Sequence, residues 1–297
     1  MALQVVGLYL TEQSAQALLL GLEGGRRTLH AVTEWQSTLF TYAGDDTPGV
    51  DEFVEHLSNF LSEHQRSAHM MAVALDTSLL FVNALPVDDP SGDEAIREQI
   101  VWELNEYFPG SPDNTFISDY HVMLKPDSRS YDEVLAVSVR RDVVQKLRRA
   151  ATRLNLRLGV LDGDQFGAET AFHFNHPEWV KKHIALVGVK HDRIDLSILR
   201  RGDIEAYAYA FIATDQDVVQ QLSTLMQQHA HVDMLMLFGE RVDPELLAEI
   251  RAGISLPVEI LNPFKSVTVS PTLRLKSDPT IRAFRYAAAV GVALRQK

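Results

Sequence analysis

Cysteine is absent from the 297-residue chain, so neither a disulfide framework nor a thiolate metal site can exist, and a reducing compartment is the expectation. Long apolar runs are also absent. Stretches such as Ala287–Leu294 fall well short of the roughly 20 residues of a membrane-spanning helix, so no direct membrane insertion is expected. The opening Met1-Ala2-Leu3-Gln4-Val5-Val6-Gly7 has no basic segment, and no secretory signal is expected. Positive charge is scarce: 28 Lys and Arg stand against 40 Asp and Glu, a net charge of −12. Nucleic acid is bound through clustered Lys and Arg. Here Arg148-Arg149, Lys181-Lys182 and Arg200-Arg201 are isolated pairs, which excludes that class of partner. An acidic chain suits basic partners, such as the basic cytoplasmic flank of a membrane protein.

Signatures of common enzymes are missing too. The sequence holds no G-x-x-x-x-G-K-[ST] loop, no G-x-S-x-G elbow and no H-E-x-x-H pair. Gly21-Leu22-Glu23-Gly24-Gly25 reads as a hairpin turn. His173-Phe174-Asn175-His176 and His229-Ala230-His231 lack carboxylates at ligand spacing and read as loop histidines. Asp162 and Asp164 read as turn or capping residues after a strand.

What is present is 46% hydrophobic residues, enough for a large core, in a length that suggests two lobes. Gln4–Leu10, Ala15–Leu22 and Thr28–Trp35 are strand signals separated by polar turns, which predicts a meander. Phe53, Leu57, Phe60 and Leu61 follow helical spacing, and Met70–Leu75 reads as a buried strand. The next region predicts strand Leu79–Leu85, helix Glu94–Tyr107 stopped by Pro109, strands Phe116–Leu124 and Glu133–Val139, and helix Asp142–Leu154. A meander recurs from His183: Ile184–Val189, Asp195–Leu199 and Ile204–Phe211. Helix Asp215–His229, strand Met234–Phe238, helix Asp243–Ala252 and a terminal helix Thr280–Arg295 follow. The expected organisation is a first lobe over 1–76 plus 156–182, an inserted subdomain over 77–155 and a second lobe over 183–297.

Three stretches resemble the type IV pilus assembly PilM family, a relative of the cell-division protein FtsA. They are Glu98–Pro109 (EQIVWELNEYFP) with Asp119-Tyr120 downstream; Val134–Val139 followed by helix and Leu161-Asp162; and Pro257–Phe264 (PVEILNPF) with Ala287–Arg295 (AAAVGVALR). The resemblance implies an α/β, actin-like (ribonuclease H-like) two-lobed fold with an inserted strand-helix-strand-strand subdomain. It implies a cytoplasmic protein, peripheral at the inner membrane. Its partners would be the N-terminal cytoplasmic tail of a PilN-like inner-membrane protein and other pilus assembly components.

Actin-like ATPases hold the phosphates and Mg²⁺ with two hairpins and the adenosine with a glycine-rich loop. By the resemblance these fall at Gly7, Tyr9 and Thr11; at Gly188 and Lys190; and at Gly239. Tyr9 and Lys190 stand where small residues belong, Gly188 stands in the carboxylate position, and Glu12 and Glu240 bring negative charge. The expectation is a cleft that binds ATP weakly or not at all, with no catalytic residue and no metal. Lys190 and Arg193 are alternatively an anion site. The rival readings are an active ATP-binding protein with Mg²⁺, and the cytoplasmic domain of a type II secretion component. For the partner surface the resemblance supplies a place, a groove between the insertion and the first lobe. The residues chosen for it are Leu79, Phe81, Glu98, Trp102 and Tyr107. Leu79, Leu80 and Phe81 are adjacent on a strand with two faces, and Trp102 is set among acids opposite the helix core face of Ile96, Ile100, Leu104 and Tyr107.

Overall fold

A computed structural model describes residues 3–41, 47–64, 68–87, 92–111, 114–126, 130–229, 231–271, 273 and 282–295. The first sheet opens with the meander β1 (Leu3–Leu10), β2 (Ser14–Glu23) and β3 (Arg26–Gln36). Helix α1 (Thr47–Glu63) crosses over to β4 (Met70–Leu75), which pairs parallel with β1. A short 3-10 turn, Thr77–Leu79, leads into β5 (Leu80–Val87). Then come α2 (Asp93–Tyr107), β6 (Phe116–Val122), β7 (Asp132–Arg140), α3 (Arg141–Arg153), β8 (Arg157–Gly163) and α4 (Asp164–Asn175). The second sheet starts with β9 (His183–Val189), β10 (Arg193–Arg200) and β11 (Asp203–Phe211). It continues through α5 (Asp215–Gln227), β12 (Met234–Phe238), α6 (Pro244–Gly253) and β13 (Val258–Ile260). The chain closes with β14 (Thr268–Val269) and α7 (Ala287–Leu294).

Among the described residues the strands form three sheets, ordered β14-β3-β2-β1-β4-β8, β11-β10-β9-β12-β13 and β5-β7-β6. The meander strands are apolar at successive positions because both faces of their sheet are covered. On β1, Val6, Leu8 and Leu10 point to the layer holding α1 and α3. Val5 and Tyr9 point to the layer holding α4 and α7. Helix α2 lays Ile96, Ile100 and Leu104 on Leu85, Val87, Val134 and Ala136 of the small sheet. At about 1.5–3 kcal/mol per buried aliphatic side chain, those three hold a helix that starts at Gly92 with no side-chain cap. Asp93 and Glu94 in its first turn favour the helix dipole. Tyr107, assigned to that core face from the sequence, is instead 58% exposed.

The expected boundaries and the packing part company at two places. Helix α3, expected within the insertion, packs Val144, Leu147 and Ala150 into the first-lobe core. Strand β14 joins the first sheet beside β3, and α7 packs beneath β1 and β4, although both lie in the segment expected as the second lobe. The Asn262-Pro263-Phe264 element makes this return. Asn262 Oδ1 accepts from the Phe264 amide at 3.0 Å, and the Phe264 ring is buried in the first-lobe core. Helix α7 reaches that core through small residues: a Cβ at Gly291 would lie 1.7 Å from the Gly167 carbonyl oxygen of α4.

Several elements differ from the sequence reading. Leu79 closes the 3-10 turn and is not part of a strand, and β5 runs on through Pro86 to Val87 because it is a sheet edge, where a missing N–H is tolerated. Helix α4 was not anticipated, and it carries His173 in its last turn. His176 is buried, stacked between Phe172 and Trp179, and its burial holds it below the ordinary histidine value. The terminal helix begins at Ala287 after a 3-10 turn, Ala283–Tyr286, while Thr280 lies outside the described residues. Residues 88–91 and 127–129, in the loops that follow β5 and β6, also fall outside them. Among the described residues no helix is long and apolar enough to cross a membrane.

Candidate functional site

Two regions flank the segment Asp162-Gly163-Asp164, where β8 passes into α4. The first is the cleft between the two large sheets. Lys190, at the tip of the β9–β10 hairpin, points inward and is 2% exposed. Its Nζ lies 2.6 Å from Asp195 Oδ2, 2.7 Å from Asp164 Oδ2 and 3.9 Å from Asp76 Oδ2, and it donates to Thr77 Oγ1. Thr77 in turn donates to Asp195 at 2.9 Å. One ammonium thus ties the second sheet to the 3-10 turn and to the start of α4. Asp195 has further partners in Arg193 at 2.5 Å and the Tyr207 hydroxyl at 2.5 Å. Asp76 accepts from the Ser78 amide at 2.8 Å and the Tyr9 hydroxyl at 2.8 Å.

A single ammonium cannot neutralise every carboxylate here, and the partners decide which one keeps a proton. Burial pushes Asp195 up, but Lys190 and Arg193 together pull it below its ordinary value. Burial also opposes ionisation of Asp76, and Lys190 with the Ser78 hydrogen bonds outweighs it. Asp164 shares Lys190 with both and has no second cation, so burial wins and its carboxyl is pushed up to about 7. Burial opposes the charge on Lys190, yet the three aspartates hold it above the ordinary lysine value. Lys190 and Arg193 are therefore engaged with internal carboxylates. The expectation for Asp164 was a turn or cap; it is an ion-pair partner instead.

The other residues placed in this cleft from the sequence have local structural partners. Gly7 lies inside β1, where a Cβ would sit 2.4 Å from the Ala289 carbonyl oxygen of α7. A Cβ at Gly188 would meet the Phe238 ring at 2.7 Å and Gln165 Oε1 at 2.9 Å. Gly239 has φ +113° and packs against Val189, whose carbonyl oxygen would be 2.3 Å from an added Cβ. Thr11 Oγ1 closes its own turn by accepting from the Ser14 amide at 2.9 Å. Tyr9 is buried, and burial with the neighbouring Asp76 raises its phenol well above the ordinary value. Glu240 is raised by burial and by Asp76, while Glu12 is exposed on the hairpin tip.

The second region is a groove of about 900 Å³ between the small sheet and the first lobe. One wall is β6, from Ile117 to His121, and the other is β8, from Leu158 to Asp162. Each is the edge strand of its sheet, so each presents unpaired backbone groups. Leu135, Val137 and Val139 of β7 give the floor an apolar surface, and Gly202–Ile204 of the second lobe closes one end. Gly159 is an extra residue in the β4–β8 pairing, and it is exposed where it lines the groove. Deep in the wall, Asp162 is ion-paired with Arg295, which also donates to Thr170 Oγ1 at 2.8 Å and to the Phe166 carbonyl at 3.0 Å. Burial nonetheless raises Asp162, and it pushes Glu169 up to about 8.

None of the five residues chosen from the sequence lines this groove. Leu79 packs into the first-lobe core. Phe81 and Tyr107 do meet, with ring centroids 4.9 Å apart, and Phe108 joins them. Glu98 and Trp102, the latter 60% exposed, sit on the outer face of α2. That helix covers the face of β7 carrying Val134 and Ala136, opposite the face that floors the groove. The sequence reading missed Asp76, Thr77, Asp195 and Glu169. Arg193, Asp195 and Ser197 alternate with Ile194, Leu196 and Ile198 on one strand, a polar stripe that could have been noticed.

Comparison with known proteins places these features in a family. The family model described as type IV pilus assembly protein PilM matches residues 43–210, more than half of the chain. No curated protein sequence matches. Among solved structures, a PilM–PilN type IV pilus biogenesis complex superposes with TM-score 0.79 at 15% identity, covering 98% of each chain. A Bacteroides thetaiotaomicron protein with an actin-like ATPase fold superposes at 0.55 and 14% identity, covering 89% of this chain and 92% of that one. The cytoplasmic domain of EpsL, an inner-membrane component of the Vibrio cholerae type II secretion system, superposes at 0.52 and 12% identity, covering 99% and 96%. The fold is α/β and actin-like, and the chain belongs to the PilM family of type IV pilus assembly proteins.

Proposed function

We propose that this chain is a cytoplasmic scaffold of the type IV pilus assembly machinery. It holds the N-terminal cytoplasmic tail of a PilN-like inner-membrane protein in the groove between β6 and β8, and its interlobe cleft takes no nucleotide. Through that partner it is peripheral at the inner membrane and contacts other assembly components. The observation that carries the reading is the pair of unpaired sheet edges lining one apolar-floored groove. An extended peptide laid against either edge gains backbone hydrogen bonds, and alternate side chains reach the floor. The solved relative that superposes best of those compared above is itself a PilM–PilN complex, which supports a tail as the occupant. A tail that orders on binding loses chain entropy, so its affinity is modest, about micromolar.

For the cleft, the supporting observation is the Lys190 ammonium held by Asp76, Asp164 and Asp195. Those carboxylates would otherwise be free for a divalent cation. The test is titration of a labelled tail peptide from the cognate partner against wild type and Gly159→Trp, with Mg-ATP calorimetry alongside. Wild type captures the peptide and the variant loses it at unchanged melting temperature. Equal capture by both removes the groove, and micromolar Mg-ATP binding favours an active ATPase over a scaffold.

A further inference from the structure

We infer that Glu169 is a specificity-determining residue of the groove: it receives one basic side chain of the bound peptide and gives up a proton to do so. The inference rests on the reading of the groove as a peptide site.

Glu169 stands on α4 and lines the groove while being 7% exposed. Its carboxyl has a hydrogen bond from Ser197 of β10, whose Oγ itself accepts from Gln165 Nε2 at 3.0 Å. That chain uses one oxygen. The other, Oε1, has no hydrogen-bond partner. A buried carboxyl oxygen without a partner costs free energy, and such groups in native proteins call for a ligand or another explanation.

The charges around Glu169 show which ligand. On its own helix the neighbours are the neutral Gln165, one turn before it, and His173, one turn after, whose burial holds it below the ordinary histidine value. From β8 comes Asp162, and from the end of α7 comes Arg295, already committed to Asp162. Asp162 raises Glu169 and Arg295 lowers it, so neither leaves it a free counter-ion. Across the groove Asp119 and Asp203 are negative. Arg97 is paired with Asp93 at 3.0 Å, while Arg148 and His121 sit on the other walls. The deep end thus lacks a cation for Glu169, and burial keeps its proton on at neutral pH, with a value of about 8. A lysine or arginine from an extended peptide, its apolar neighbours on Leu135 and Val137, supplies that cation. The carboxyl then ionises, and the proton leaves to solvent.

The sign follows from linkage. Binding lowers the carboxyl's value from about 8, so affinity climbs as pH rises towards 8 and levels off above it. With a bound value well below 6, the gain from pH 6.5 to 7.5 is about eightfold.

The experiment uses a capped synthetic peptide of alternating leucine and asparagine with one central lysine, and its counterpart with norleucine in the lysine position. Calorimetry in two buffers of different ionisation enthalpy, at about pH 6.5 and 7.5, counts protons. Wild type is expected to prefer the lysine peptide by about tenfold at pH 7.5 and to release close to one proton at pH 6.5. Glu169→Gln is expected to lose the preference, the proton release and the pH dependence while still binding the norleucine peptide. Equal binding of both peptides to wild type without proton release overturns the inference alone. It would mean that Glu169 stays neutral and bonds a peptide carbonyl. Binding of neither peptide overturns the groove reading and the inference with it. Should Glu169→Gln fail to fold, the lysine–norleucine comparison on wild type still decides the matter.

Discussion

Replacing Lys190 with Met removes the ammonium and keeps most of the side-chain volume, so its effect isolates charge from packing. The three aspartates are not equally exposed to the loss. Asp195 retains Arg193 and Tyr207, and Asp76 retains the Ser78 amide and Tyr9. Asp164 keeps only the amide of Gln165, at 2.9 Å. Breaking a buried ion pair from one side costs about 3–5 kcal/mol. The pH dependence comes from Asp164. In wild type its folded value of about 7 exceeds the unfolded value, so its ionisation erodes stability as pH rises to 7, after which both states are ionised and the curve is flat. Without Lys190 that value rises further, and erosion continues above pH 7. The deficit of Lys190→Met should therefore be about 3 kcal/mol at pH 6.5 and grow by about 1 kcal/mol per pH unit above pH 7. Urea denaturation followed by far-ultraviolet circular dichroism from pH 6 to 9 measures it. A deficit below about 1 kcal/mol, or one flat in pH, would refute the reasoning that the ammonium is a required internal counter-ion.

Three further outcomes are expected. Gly239→Ala should lose about 3 kcal/mol in the same assay, because φ +113° strains an L-residue and the new methyl meets the Val189 carbonyl. Trp102→Ala should change stability by no more than about 0.5 kcal/mol, since the side chain is 60% exposed and touches no core; a collapsed melt would put it in a core after all. Ile100→Ala, which empties the middle of the α2 contact with the small sheet, should cost about 2–5 kcal/mol, seen as a fall in denaturation midpoint at unchanged slope.

The strands were the most legible part of this fold. Met70–Leu75, between His69 and Asp76, and Met234–Phe238, between Asp233 and Gly239, are unbroken apolar runs, and each is a strand covered on both faces. Helix α4 was missed because Phe166-Gly167-Ala168-Glu169 carries no amphipathic stripe. The helix is buried nearly all round, between the two sheets and against α7, so nothing in it alternates with solvent. Leu79 was misplaced because three adjacent apolar residues look like one strand, yet they serve different cores. Leu79 goes to the first lobe and Phe81 to the small sheet, with Leu80 between. The role of Lys190 as an internal counter-ion is not legible in the sequence because its partners, at positions 76, 164 and 195, are distant in sequence and ordinary in type. Only the approach of a strand, the start of a helix and the cap of a 3-10 turn makes a site of them. The groove was hidden for a related reason, since strand edges are properties of sheet order and no local pattern encodes that.

Strand β14 and helix α7 complete the first lobe from the far end of the sequence, and this has a consequence for biosynthesis. As the chain leaves the ribosome, Val5, Tyr9, Leu18, Leu20 and Ala72 emerge well before one layer of their cover, Phe264 and Ala288–Val292, which follows only after the whole second sheet. The nascent first sheet can gather α1 and α3 on one side while the other stays wet and adhesive. Contacts of such long sequence separation form slowly, and an open apolar sheet is prone to aggregate meanwhile. Shielding by a holding chaperone, or by delayed folding of the whole chain, should matter more for this protein than its two-lobed outline suggests. Fragments cut between the lobes should be insoluble even though each contains most of a sheet.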